Sequence, residues 1–151
     1  MKTMKTVTLT VTCALLVLAV AQAEARDTKH MLPIESAMST PAAKEKLDGS
    51  VRFYFAGQKT PKVLKTSGEG VTNRKTNAAF KGDEEACRWV FLSALLALQD
   101  EAKSLGANAV IDITSYYKKN EFSSATEFEC HAGAIMAGVA LKGTYATVAS
   151  N

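Results

Sequence analysis

Residues 83–106 read DEEACRWVFLSALLALQDEAKSLG, the longest stretch of the chain that keeps one period. Cys87, Phe91, Ala94, Leu95, Leu98, Ala102 and Leu105 recur at steps of three and four. That spacing gathers side chains on one face of an α-helix. Val90, Leu92 and Leu96 widen the apolar face, so the helix is expected to be largely covered. Asp83 reads as its N-cap, with Glu84 and Glu85 in the first turn, where carboxylates complement the helix dipole. Gly106 suits the left-handed position just past the C-terminus.

On the N-terminal side, Val51, Phe53 and Phe55 alternate with Arg52, Tyr54 and Ala56, the period of a strand with one buried face. The polar stretch from Gly57 to Gly82 holds two weaker strand patterns, Lys62–Thr66 and Val71–Thr76. On the C-terminal side, Ala109–Tyr117 is β-branched and aromatic and reads as a strand. Thr126–Cys130 alternates again, with Phe128 and Cys130 opposed to Glu127 and Glu129. Gly133 and Gly138 would each weaken a helix over Ala132–Leu141 by about 1 kcal/mol. That segment therefore reads as a continuing strand, bent at its glycines. The fold class is α+β: one ββαββ domain over residues 50–151, an antiparallel sheet packed by one long helix at about 83–105. Residues 24–49 are polar and read as a loosely attached lead-in, within which Thr40-Pro41 starts a short helix running to Leu47.

The first 23 residues have the three parts of a secretory signal peptide. Lys2 and Lys5 precede an uncharged run from Val7 to Ala21, and Ala21-Gln22-Ala23 supplies small residues for cleavage after Ala23. Cleavage after Ala25 and an uncleaved anchor are the alternatives, but the apolar run is shorter than the ~20 residues a spanning helix needs. Cys13 lies inside that run and not at its end, so a lipid anchor is not expected. The mature product is expected to be soluble and periplasmic, with no membrane span. Loss of two lysines lowers the formal charge from +3 to +1, so overall charge argues neither for nucleic acid nor for a membrane surface, and no nucleic-acid partner is expected.

Cys87 and Cys130 then remain. An even pair in an oxidising compartment favours a disulfide over two separate buried thiols. The closed loop of 44 residues would be worth about 4 kcal/mol in the chain-entropy model. No Cys-x-x-Cys spacing marks a redox pair. Cys130-His131 are neighbours on a strand and point to opposite faces, and His30 is the only other histidine, so a metal site lacks ligands. Gly68–Thr76 imitates a phosphate loop but has Arg74 where glycine must precede Lys-Thr. No serine lies in a nucleophile motif, Asp112 is expected to face solvent, and no enzymatic activity or cofactor is expected. Lys59, Lys62, Lys65, Arg74, Lys75 and Lys81 form the best candidate contact surface, suited to an anionic envelope polymer, anionic lipid or an acidic protein face.

Ala102-x-x-x-Gly106-Ala107-Asn108-Ala109-Val110, followed by Cys130-x-x-x-Ala134-x-x-x-Gly138-x-Ala140-Leu141, resembles the RcsF-type periplasmic domain of envelope-stress sensing. It is similar in turn to the small YbjQ-type envelope proteins. The resemblance covers about residues 87–143. It implies a bridge between Cys87 and Cys130, whereas Ser115 and Met136 stand where the family has a second disulfide. The expected function is a disulfide-stabilised, non-enzymatic module that binds another envelope component in a stress-related or scaffolding role. The alternative is a metal- or small-ligand-binding oligomer of the YbjQ type.

Overall fold

A computed structural model describes residues 25–150, so the signal-peptide assignment to residues 1–23 lies outside the described residues. The central element is β6, Met136–Val148, a thirteen-residue strand. Along one edge it pairs antiparallel with β3, Val63–Asn77. Its other edge is shared between β5, Glu127–Ala132, and β4, Ala109–Ser115. β1, Thr28–Pro33, extends the sheet beyond β5, and β2, Arg52–Phe55, extends it beyond β4. The result is one α+β domain, a curled six-stranded sheet with a single long helix packed against it.

That helix is α3, Asp83–Ser104. Cys87, Phe91, Ala94, Leu95, Leu98 and Ala102 are all essentially sealed from solvent, as their spacing requires. Phe91 sits between Phe55 of β2 and Phe128 of β5, with ring centroids 5.9 and 4.0 Å away. This aromatic column ties helix to sheet; burying each such ring is worth about 1.5–3 kcal/mol. The Cys87–Cys130 disulfide joins the same two layers, with the Cα atoms 5.8 Å apart. At the C-terminus Gly106 takes φ +68°. The amides of Gly106 and Ala107 donate to the carbonyls of Lys103 and Ala102, the paired bonds of a Schellman end.

Several expectations need correction. The lead-in is not loose: β1 pairs with β5 from Thr28↔Ala132 to Pro33↔Glu127, and Leu32, Ile34, Ala37 and Ala43 are buried. Two short helices, α1 (Ile34–Met38) and α2 (Pro41–Lys46), follow it, and Thr40 caps α2 by accepting from the Ala43 amide. The strand order is accordingly not ββαββ, and the sheet is not wholly antiparallel, because β2 runs parallel to β4. The two weak strand patterns before the helix are one strand, β3, irregular between Thr66 and Glu69 where Gly68 adopts φ +99°. Residues 132–141 do not form one bent strand. Gly133–Ile135 make a tight reversal between β5 and β6, closed by the Gly133 amide donating to Met136.

The ends of α3 differ in detail from expectation. Gly82 is the N-cap residue, and Asp83 occupies the first helical position, its carboxylate turned to Arg26 and His30 instead of the helix amides. Leu105 is past the last turn and 41% exposed. Beyond the helix, the Asn108 side-chain amide exchanges two hydrogen bonds with the Val148 backbone, 3.0 and 2.8 Å, pinning the end of β6.

Candidate contact surface along strand β3

β3 hydrogen-bonds only to β6, so its other edge is open among the described strands. Fifteen residues at ~3.4 Å each give that edge a length of roughly 50 Å. Nearly every residue along it is exposed or half-exposed, with Thr72 the one buried exception. An unpaired edge of this length presents backbone N–H and C=O groups ready to bond an added strand.

The six predicted basic residues do not share one face. Lys59 and Lys62 lie in the connection that enters β3, and Lys65 follows near its start, opposite Thr147. Arg74 stands opposite Val139, which belongs to the core beneath α3, so its side chain leaves on the helix side. Lys75, opposite Gly138, leaves on the other side, and Lys81 lies beyond the strand beside Trp89. The edge strand therefore carries cations at both ends, with Glu69 between them. Among the described residues none of the six cations is within ion-pair distance of a carboxylate, whereas Glu69 lies 3.8 Å from Lys142.

On the helix side of β3 a cleft of about 370 Å³ opens toward α3, lined by Thr72, Arg74, Glu101 and Tyr145 among others. The Tyr145 ring lies over Gly70, where a Cβ would overlap its hydroxyl. Burial, then the charge of Glu101, pushes the Tyr145 phenol up. Thr72 places its hydroxyl in this wall without a hydrogen-bond partner.

His131 is largely enclosed by its neighbours. Its side chain is 13% exposed, with Nδ1 2.8 Å from an Asp27 oxygen and Nε2 2.7 Å from a Glu129 oxygen. The ring stacks on Tyr117, 3.5 Å between centroids. Ionised carboxylates only accept hydrogen bonds, so both contacts are made together only when both ring nitrogens carry protons. Burial pushes the Glu129 carboxyl up, but the bonds from His131 and Lys29 outweigh it and hold the group below the usual range. Asp27 is lowered in the same way: burial opposes, and His131, Tyr117 and Lys118 prevail. Burial and the bond to Asp27 raise Tyr117.

These contacts bear on metal binding. Cys130 is committed to the disulfide, both His131 nitrogens face carboxylates, and His30 bonds Asp83 at 3.0 Å. Among the described residues no three or more His, Cys, Asp or Glu side chains converge as a metal-ligand set. Asp112 is exposed at φ +51°, in the irregular step of β4 between Ile111 and Thr114. Gly68–Thr76 lies within β3, not at a helix start. Ser115 accepts from the Glu129 amide at 2.9 Å, and Met136 begins β6.

No helix among the described residues is long and apolar enough to cross a membrane. Comparison with protein-family models, with curated proteins and with solved structures gives no match.

Proposed function

We propose that this chain is an exported, non-enzymatic binding module of the cell envelope that docks an extended acidic segment of another envelope component along β3. The observation that carries the reading is the open β3 edge with uncompensated cations at both ends. Main-chain bonds along such an edge supply affinity, and flanking side chains select the partner. Charge disfavours a second copy of the same chain in at least one register. Antiparallel pairing about Gly70 sets Lys65 directly opposite Lys75 of the other copy, a like-charge pair that weakens the sheet. An acidic strand meets the opposite situation at both ends. The RcsF-like words at residues 102–110 and 130–141 and the signal-like N-terminus support an envelope setting. A stress-related or scaffolding role is the biological form of this reading.

The test compares envelope partners recovered with the wild type and with a Lys62→Glu, Lys65→Glu double variant. A partner held by the wild type and lost by the variant supports the reading. Equal recovery by both, or catalytic turnover of a substrate by the purified protein, overturns it.

The small-ligand alternative is favoured by one observation, the polar cleft between β3 and α3 with Arg74 and Glu101 on its walls. Calorimetry with small charged ligands, and with zinc, copper and nickel ions, separates it from the docking reading.

A further inference from the structure

A second exposed feature stands apart from the β3 edge. The loop between β3 and α3 and the reversal between β5 and β6 lie side by side, joined by the Ala78 amide donating to the Ile135 carbonyl at 2.8 Å. Their tips carry Phe80, fully exposed, Ile135, 66% exposed, and Met136, 42% exposed. Large apolar side chains this exposed are informative when they cluster. Phe80 also adopts φ +62°, a conformation that strains a bulky residue. A glycine would occupy that position more easily, so local folding does not account for a phenylalanine there.

Cations stand around the tip. Lys81 follows Phe80, and Lys75 and Arg26 stand beside Met136 and Gly133. Arg26 is bonded to Asp83 and to the Gly133 carbonyl, whereas Lys75 and Lys81 make no ion pair among the described residues. Glu84 is neutralised by Arg88, and Glu85 lies in the same concavity as Lys81. Trp89, the only tryptophan of the chain, is 47% exposed and shares that concavity. It sits six residues into α3, about 9 Å along the axis from the start of the helix.

Exposed apolar tips with unpaired lysines and a half-exposed tryptophan nearby are the residue types that populate a bilayer interface. A protein interface is a poorer fit. Three side chains on two projecting loops fall far short of the ~800 Å² per partner that a stable complex buries.

We propose that the Phe80–Ile135–Met136 tip inserts shallowly into a lipid surface containing anionic headgroups, with Lys75 and Lys81 at headgroup level. Of the β3 cations this inference uses only Lys75, at the end of the strand, and Lys62 and Lys65 play no part in it.

The chain from Glu24 onward, which contains every core residue among the described residues, is sedimented with vesicles of phosphatidylethanolamine and phosphatidylglycerol while Trp89 emission is followed. The wild type is expected to sediment with the vesicles and to shift its emission to shorter wavelength. Phe80→Gly relieves the left-handed strain, so it should fold at least as well, yet partition about tenfold more weakly or worse. Ile135→Ser should weaken partitioning in the same direction. Wild-type protein that stays in the supernatant overturns the proposal, and so does a folded Phe80→Gly variant that binds like the wild type.

Discussion

The ring of His131 lies flat on that of Tyr117, 9° between planes, while its two nitrogens reach Asp27 and Glu129 from opposite sides. Asp27 immediately precedes β1, Glu129 belongs to β5 and Tyr117 follows β4. One imidazole therefore fastens the N-terminal strand to the body of the sheet. Replacing His131 by Leu leaves Glu129, whose side chain is only 10% exposed, without its ring partner. We expect a loss of about 1–3 kcal/mol, read as a lower denaturant midpoint at neutral pH. An unchanged midpoint would show that the cluster contributes nothing to stability.

The same cluster predicts an acid-labile strand. The Asp27, Asp83 and Glu129 carboxyls are all held below their ordinary values of 3.8, 3.8 and 4.5. For Asp83 the Arg26 guanidinium does most of this, against burial and with help from His30. Groups lowered on folding contribute stability that is complete above the ordinary value and lost as pH falls through the lower folded value. Amide protection over Thr28–Pro33, taken relative to the intrinsic rate at each pH, should therefore fall on acidification before protection in β6 does. Simultaneous loss of protection in both strands would contradict this.

Cys87 lies one turn into α3 and Cys130 on β5, so reduction frees a link between the two layers. Unreduced protein should weigh two hydrogens less than the dithiol. Cys87→Ala with Cys130→Ala should lower stability by about 2–4 kcal/mol. Two free thiols in the exported protein would refute the bridge.

Gly70 is required for a reason unrelated to backbone freedom. A methyl group there collides with the Tyr145 hydroxyl and ring, whereas at Gly138 it would meet only ordinary contacts. Gly70→Ala should destabilise by about 1–3 kcal/mol, and Gly138→Ala should not approach that loss by the same mechanism. Equal midpoints for the two variants would show that β3 yields at Gly70 without cost.

Much of this architecture can be read from local pattern. The stripe from Cys87 to Ala102 names the buried face of α3, and the alternation of Phe128 and Cys130 names the inner face of β5. Both signals are periodic and contained within single elements. β1 is illegible for the opposite reason. Its sequence, Thr28-Lys29-His30-Met31-Leu32-Pro33, has no clean alternation, and its polar side chains find partners far along the chain. Lys29 reaches Glu129 at 3.1 Å and His30 reaches Asp83 at 3.0 Å. The reversal at Gly133–Ile135 was hidden because small apolar residues continue on both sides of it.

The basic residues illustrate another limit. Composition collects Arg74 and Lys75 into one patch, but the pleat sends neighbouring side chains to opposite faces. Only the pairing of β3 with β6 alone reveals that what they share is an open edge.

That edge is tested most directly by a photo-activatable residue in place of Val71, which is exposed midway along β3, with crosslinking in intact cells. The docking account predicts one dominant adduct with an envelope component carrying an acidic extended segment, suppressed by Lys62→Glu with Lys65→Glu. No adduct from position 71, or an adduct indifferent to those charge reversals, would contradict it.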